Sequence, residues 1–262
     1  MPIPPAGKGP RDSMAALADI IAPSDLSMVF QPICDMHTLE IFAYEALLRC
    51  RRPEFSPPPV LFERAMRDHC VGRLGRLIRE VAVPLIENIP LFLNVHPKEL
   101  EERWLVQPDD PMYFHDSTIF LEITESVPMT HFMLCRDVLR SIRSMGSVEL
   151  VVDDLGAGYS NFGRIAELEP SVVKLDMGLI RGVENTKRTQ TLITSLVRLC
   201  MDLGARVVAE GIETADSFLA LRDCGVHLGQ GYYLARPQFP LPSIAPEAVA
   251  LRTTSSMPRL HR

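Results

Sequence analysis

Two adjacent carboxylates, Asp153 and Asp154, follow the apolar pair Val151 and Val152 and precede a turn that contains Gly156. Like charges this close repel each other, so a folded protein has little reason to place them together without a compensating feature. Carboxylate oxygens are the ligands that Mg²⁺ and Mn²⁺ prefer in proteins. The stretch therefore leaves two alternatives, an exposed turn or a metal site.

Other polar residues share a placement with Asp153, because each follows an apolar run near the C-terminal end of a β-like segment. The set comprises Glu45, Asn94, Glu122, Asp153, Lys174, Glu210 and Gln230. In a β/α barrel the C-terminal ends of the strands open onto one face, where active sites are built. Each residue alone has an ordinary reading as a turn, surface or salt-bridge residue. The recurrence on at least five segments favours a shared site instead.

The alternation of side chains along a strand tests whether these groups share a face. Val151 and Asp153 have the same parity, whereas Asp154 has the opposite one. Asp154 can reach the same site only if the backbone leaves regular β geometry, which Gly156 and Gly158 permit. Buried carboxylates in this number would be costly unless a cation balances them or some take up protons.

The segments that must position these groups alternate between β-like and helical patterns. β-like runs lie at 28–33, 40–49, 91–95, 118–124, 149–154, 172–176, 206–211 and 228–233. Helical runs lie at 59–70, 71–89, 132–146, 189–204 and 215–225. This alternation predicts an α/β fold of the TIM-like (β/α)8 barrel type. An open doubly wound sheet is the alternative, but no Gly-rich phosphate loop follows an early strand.

Length and composition predict one large domain. The chain has 262 residues, 47% of them hydrophobic, and a single α/β barrel typically has about 250 residues. We expect an N-terminal tail and short helix at 1–24, the main domain at 25–240 and a C-terminal tail at 241–262. Because the stretch from about Pro237 is rich in proline, we expect it to be loose.

Several classes of protein are disfavoured. A net charge of −6 and a pI near 5.7 argue against a partner that is a nucleic acid polymer. No apolar run approaches the roughly 18 residues that span a membrane, and the N-terminus lacks the apolar core of a signal peptide. The six cysteines form no C-x-x-C pair, and the seven histidines show no zinc-type spacing. We therefore expect a cytoplasmic protein.

A set of motifs occurs in a fixed order along the chain. They are QPI (31–33), EALLR (45–49), LNV (93–95), LEITES (121–126), VDDLGAGYSN (152–161), VKLD (173–176), VVAEGIET (207–214) and LGQGYYLARP (228–237). From about Ser27 to Pro237 the chain resembles the EAL-domain family, the cyclic di-GMP phosphodiesterases. The resemblance implies a barrel with one antiparallel strand, a homodimer and two Mg²⁺ or Mn²⁺ ions. It also implies hydrolysis of this bacterial signalling molecule to linear pGpG.

The resemblance implies roles for individual residues. The side chains that would hold the two ions, with Asp153 shared between them, are Glu45, Asn94, Glu122, Asp153, Asp154 and Glu210. Glu210 would ligate the second ion or position water there, Lys174 would orient the attacking water, and Glu125 would hold the loop after Asp154. The residues that would contact the substrate are Gln31, Leu47, Arg49 and Gln230.

The chain departs from the family pattern beside the site. It has Leu155 where the family usually has Phe, Ala157 where Thr or Ser is common, and Cys50 where an aromatic residue is frequent. None of these changes removes a predicted metal ligand. The full ligand set favours an active enzyme. The changes at Leu155 and Ala157 are the support for the main alternative, a receptor that binds cyclic di-GMP without cleaving it. A carboxylate barrel that abstracts protons next to carboxylates is a more remote one.

Overall fold

Eight strands form a closed barrel in the computed structural model, which describes residues 16–17, 21–102, 104–124, 129–156 and 162–254. The strands are β1 Leu26–Asp35, β2 Ile41–Cys50, β3 Leu91–Asn94, β4 Ile119–Thr124, β5 Val148–Leu155, β6 Val172–Leu175, β7 Arg206–Ala209 and β8 Leu228–Gly229. β1 is antiparallel to both β2 and β8, whereas the other neighbours are parallel. The predicted barrel with one antiparallel strand is confirmed, and the open sheet is excluded.

Helices connect the strands on the outside of the barrel. They are α1 Pro58–Arg67, α2 Val71–Ala82, α3 Met129–Met145, α4 Phe162–Leu168, α5 Met177–Ile180, α6 Lys187–Asp202, α7 Ala215–Asp223 and α8 Pro246–Thr254. The five predicted helical runs are confirmed as α1, α2, α3, α6 and α7. The run predicted over 71–89 ends at Ala82 and continues as the 3₁₀ turn Val83–Leu85. Pro84 lacks the N–H that a continuing α-helix needs there.

Helical periodicity explains how α2 attaches to the barrel. Val71, Leu74, Ile78 and Ala82 are buried and recur at intervals of three and four residues along the helix. This spacing places them on one stripe that faces the strands. The same helix carries Arg79, whose charged side chain is also buried.

The inside of the barrel is packed. One apolar residue from each strand contributes to a central layer of Ile33, Ala43, Phe92, Phe120, Val151, Val172, Val208 and Leu228. The rings of Phe92 and Phe120 stack with centroids 4.4 Å apart. This layer is the floor on which the polar residues at the C-terminal ends of the strands rest, as in other β/α barrels.

The chain between residues 237 and 250 packs against the barrel, in contrast to the loose tail expected from about Pro237. Phe30 and Gln238 exchange backbone hydrogen bonds of 2.9 and 3.1 Å. The Tyr44 hydroxyl donates to the Pro242 carbonyl at 2.8 Å, and Ala248 of α8 is buried. The sequence pattern misled because prolines that prevent regular structure do not prevent packing. The domain limits at 24 and 240 themselves stay predictions.

Most of the predicted N-terminal helix lies outside the described residues. Leu17 is buried, its backbone N–H donates to Asp68 Oδ2 at 2.7 Å, and Ile21 N–H donates to its carbonyl at 3.0 Å. Among the described helices, none is both long and apolar enough to cross a bilayer.

Candidate active site

A layer of polar side chains lies directly above the apolar floor. On each strand, the residue two positions closer to the C-terminal face of the barrel is polar: Gln31, Glu45, Asn94, Glu122, Asp153, Lys174, Glu210 and Gln230. On β1 the step runs backwards, from Ile33 to Gln31, because that strand is antiparallel. The layer therefore brings together residues on, or directly after, all eight strands. Parity predicted the shared face for Glu45, Asn94, Asp153, Lys174 and Glu210, and these five residues lie in the layer.

Lys174 stands among four of these carboxylates and is only 1% exposed. Its Nζ lies 2.6 Å from Glu210 Oε1 and 2.8 Å from Glu122 Oε1. Glu45 Oε2 and Asp153 Oδ1 are each 3.5 Å from the same Nζ. Burial alone would lower the pKa of Lys174, but the carboxylates, Glu122 foremost, hold that pKa well above its ordinary value. The contacts with carboxylates favour the ammonium form of Lys174, and its burial excludes a solvated surface role.

One ammonium does not balance this many acids. Burial, reinforced by the charge of Glu45, raises the pKa of Glu122 well above its usual range, although Lys174 opposes this. Burial also raises the pKa of Glu210 to about 7 against the pull of Lys174. Neither Glu122 oxygen receives a well-directed hydrogen bond from the described residues, and nor does Asp153 Oδ1. These buried acceptors and the surplus of negative charge fit a divalent cation, which would favour the ionised forms.

Asp154 joins the site through a local break in β5. Its backbone φ is +59°, and the pairing between β5 and β6 shifts register between Val152 and Leu155. A positive φ is uncommon for residues other than glycine, but aspartate is among those that adopt it more readily. As a result Asp153, Asp154 and Glu210 each offer an oxygen within 4.8 Å of the others. The prediction that Asp154 reaches the site only by leaving regular β geometry is confirmed.

Glu45 is held by amides from two other strands. Asn94 Nδ2 donates to its Oε1 at 2.9 Å, and Gln230 Nε2 donates to its Oε2 at 2.6 Å. Burial acts to raise the pKa of Glu45, but Lys174 and these amide donors outweigh it and the pKa is lowered. Glu45 is therefore ionised. Asn94 uses its amide nitrogen in this contact, so its side-chain oxygen takes no part in it.

The residues predicted to contact substrate divide into two pairs. Gln230 is 4% exposed and its Nε2 also donates to Gln31 Oε1 at 3.0 Å, while Gln31 Nε2 donates to the Ala235 carbonyl at 3.0 Å. This pair braces Glu45 inside the layer. Leu47 and Arg49 lie on the part of β2 that extends past β3, where Leu47 is half-buried and Arg49 is exposed. The second pair forms a rim around the polar layer.

Two further sequence predictions concern residues at the edge of the site. Glu125 and Ala157 lie outside the described residues, so the role predicted for Glu125 stays a prediction. Asp176 has the parity of Lys174, yet its Oδ1 accepts a hydrogen bond from Gly178 N at 2.8 Å and caps α5. Matching parity is therefore not sufficient to place a residue in the polar layer.

A family model for the EAL domain matches residues 14–237. The chain belongs to the EAL-domain family. A cyclic di-GMP phosphodiesterase of Pseudomonas aeruginosa is 34% identical to this EAL domain over 226 residues, which is 81% of this chain and 38% of that protein. A second one from that organism is 30% identical over 86% of this chain and 61% of its own length. The chain thus spans less than two thirds of these relatives.

Solved structures of EAL proteins have the same barrel. A standalone EAL protein of Vibrio cholerae, bound to cyclic di-GMP, has a TM-score of 0.69 and 29% identity, over 86% of this chain and 97% of that one. Klebsiella pneumoniae BlrP1, in complex with manganese and cyclic di-GMP, has a TM-score of 0.69 and 28% identity, over 82% of this chain and 56% of that one.

Proposed function

We propose that this EAL domain hydrolyses one phosphodiester bond of cyclic di-GMP to give linear pGpG, using two Mg²⁺ or Mn²⁺ ions. The observation that carries the proposal is the surplus of buried carboxylates around Lys174, together with Glu122 Oε2 and Asp153 Oδ1, which receive no hydrogen bond from the described residues. The cyclic di-GMP named for the relatives and the manganese in one neighbouring structure support the same assignment.

The layer contains two sets of oxygen ligands that share Asp153. We assign the first ion to Glu45, Asn94, Glu122 and Asp153, and the second to Asp153, Asp154 and Glu210. When bound, such a pair would lower the pKa of a water at the site and would offset the negative charge that develops on the attacking and leaving oxygens. The hydroxyl oxygen of water bonds to phosphorus, the bond from phosphorus to the 3′ oxygen breaks, and that oxygen takes up a proton. The phosphate stays on the 5′ oxygen, as in pGpG.

Lys174 orients rather than removes protons. In the metal-free protein the surrounding carboxylates raise the pKa of Lys174, so we assign it as a hydrogen-bond donor and not as a base. Its Nζ lies within 3.5 Å of acids from both ligand sets, so it can donate to an oxygen between them. This position fits the orientation of an attacking water.

The rim supplies groups that fit the substrate. Cyclic di-GMP carries two phosphates, which the acidic layer would repel unless bound cations reverse the local charge. Arg49 is exposed at the mouth, where a guanidinium can pair with a phosphate through two hydrogen bonds. Assembly as a homodimer in the cytoplasm belongs to the proposal as well and rests on the family resemblance. Sedimentation at assay concentration tests the dimer.

Chromatography of cyclic di-GMP after incubation with the purified protein tests this function. We expect pGpG with Mg²⁺ or Mn²⁺ and intact nucleotide with chelator. Glu45→Gln, which keeps the shape but removes a ligand charge, should lose turnover, whereas Glu54→Gln should not, because that side chain is 56% exposed outside the layer. Tight binding of cyclic di-GMP without cleavage in either metal would favour the receptor instead.

A further inference from the structure

The short segment after β6 lies between the two loops that carry the ligands of the second ion. Asp176 N–H donates to the Leu155 carbonyl at 3.1 Å, so the segment is joined to the loop after Asp154. On the other side, Glu210 N–H donates to the Leu175 carbonyl at 3.2 Å. The segment is therefore in register with both ligand-bearing strands at the point where they end.

Side-chain packing extends the first of these contacts. Gly156 lies two residues after Asp154 and has a φ of +105°. A Cβ added to it would stand 3.1 Å from both Cβ and Cδ2 of Leu179. The Leu179 side chain is partly buried against the outer core and so covers the backbone of this loop.

The second loop packs on the same helix. Gly211 directly follows Glu210 and has a φ of +66°. A Cβ added to it would lie 2.7 Å from the Cβ of Met177. Positions two apart on a helix are separated by roughly 200°. Met177 and Leu179 therefore face opposite sides of α5, one toward each loop.

The helix between these contacts is fixed at both ends. Asp176 Oδ1 accepts from Gly178 N at 2.8 Å, and the Asp176 carbonyl accepts from Leu179 N at 3.0 Å. Ile180 at its end is buried. The single turn is thus anchored by a cap and by the core.

We propose that α5 is a spacer that sets the separation between Asp153–Asp154 and Glu210, with Leu179 and Met177 as positioning residues. The three carboxylates approach to within 4.8 Å although their charges repel, so their loops need a rigid partner. The inference rests on the proposed function, because it assigns these oxygens to a metal ion. Residues that orient ligands without touching the metal typically change metal affinity by about 10–100-fold when mutated.

Titration of metal-free protein with Mn²⁺, followed by calorimetry and without nucleotide, tests the spacer. The wild-type protein should bind two ions. In Leu179→Ala the second ion should bind about 10–100-fold more weakly and the first should be unchanged. Leu179→Met, which nearly conserves volume, should restore the affinity. Leu192→Ala is the matched control, because that leucine lies on α6 and is 47% exposed.

A second pair of variants tests the other side of α5. Gly211→Ala should weaken the second ion, since the new methyl meets Met177 Cβ. Gly204→Ala is the matched control and should bind as wild type, because that glycine also has a positive φ, +84°, but an added Cβ there meets nothing within 4 Å. Thermal unfolding of each metal-free variant checks that the fold is kept. The spacer role of α5 would be overturned if Leu179→Ala and Gly211→Ala bound both ions with unchanged affinity, or if both ions were weakened equally. The proposed function would not be affected by either result. A wild-type protein that binds no Mn²⁺ would overturn the proposed function as well.

Discussion

Two clusters of buried charge stand in contrast in this molecule. Outside the barrel, Arg79 donates to Asp110 through Nε and Nη2 and to Glu99 Oε2 through Nη1, with distances of 2.7–3.0 Å. The His96 backbone N–H donates to the other Glu99 oxygen, Oε1, and the Met112 backbone N–H donates to Asp110 Oδ1. One cation meets two anions, and each carboxylate oxygen has a donor.

Inside the barrel, Lys174 faces four carboxylates within 3.5 Å, and oxygens of Glu122 and Asp153 have no well-directed donor among the described residues. Burial does not separate the two clusters, because it raises the pKa of both Glu99 and Glu122. The two clusters differ instead in the number of hydrogen-bond donors and positive charges that face their carboxylates. The carboxylates of the first cluster are satisfied within the protein, whereas those of the second outnumber the positive charge beside them, which is the basis for the proposed metal ions.

Neutralising one acid of the inner cluster should have the largest effect on activity. Asp153→Asn removes the ligand shared by both ions, so we expect at least about a 10³-fold loss of turnover, since metal ions contribute several kcal/mol to the transition state. Without metal the variant should be as stable as wild type or more so, because a repulsive charge is gone. Urea unfolding, with and without Mn²⁺, measures the free energy of unfolding of each protein.

Asp137→Asn is the control, since that carboxylate is 68% exposed far from the layer. Each bound Mn²⁺ should stabilise the wild type by about 2.7 kcal/mol at a hundred times the Kd of its site, and Mn²⁺ should stabilise Asp153→Asn much less. Equal stabilisation of both proteins by Mn²⁺ would remove Asp153 from the metal site.

Breaking the outer cluster should damage stability and spare chemistry. Arg79→Met leaves Glu99 and Asp110 buried without a cation, which typically costs about 3–5 kcal/mol. Arg76→Met on the same helix is the control, because its partner Asp109 is 70% exposed and such pairs contribute about 0–1 kcal/mol. Folded Arg79→Met protein, assayed well below its Tm, should keep wild-type turnover. A large loss of turnover in folded Arg79→Met would mean that the outer cluster supports catalysis as well as stability.

Parity made much of the inner cluster predictable. Asp153, Lys174 and Glu210 each follow an inward apolar residue by two positions, and this spacing depends only on the period of a strand. The step for Gln31 runs the other way because β1 is antiparallel, and strand direction is not written in a local pattern. Only the family resemblance pointed to that residue.

Contacts between distant strands were beyond the reach of local patterns. Gln230 bonds Glu45 across 185 positions, and that pairing depends on the closure and stagger of the whole barrel. The one-turn helix α5 was not predicted, because four residues hold too little periodicity to be recognised. Likewise, the completeness of the Arg79 cluster follows from three separate segments that only the fold brings together.

A buried hydrogen bond between two neutral groups, Val207 N–H and His227, should make the smallest contribution to stability. His227 Nδ1 accepts a hydrogen bond from Val207 N–H at 3.0 Å, which requires the neutral ring. Burial, aided by Arg206, lowers the pKa of His227 below its model-peptide value of 6.5, so the folded state binds fewer protons than the unfolded state. The contribution of His227 is therefore complete above pH 6.5 and falls as the pH drops from there through the folded pKa.

We expect a neutral hydrogen bond of this kind to contribute about 0.5–1.5 kcal/mol at pH 7.5. The free energy of unfolding in chelator, measured at pH 7.5 and 5.5 for wild type and His227→Leu, isolates this term, because the carboxylates titrate in both proteins. The gap between the two should narrow at the lower pH. If the difference in free energy of unfolding between wild type and His227→Leu stays constant or widens, the ring does not have to accept this hydrogen bond. The contact with Val207 would then tolerate a protonated, charged His227.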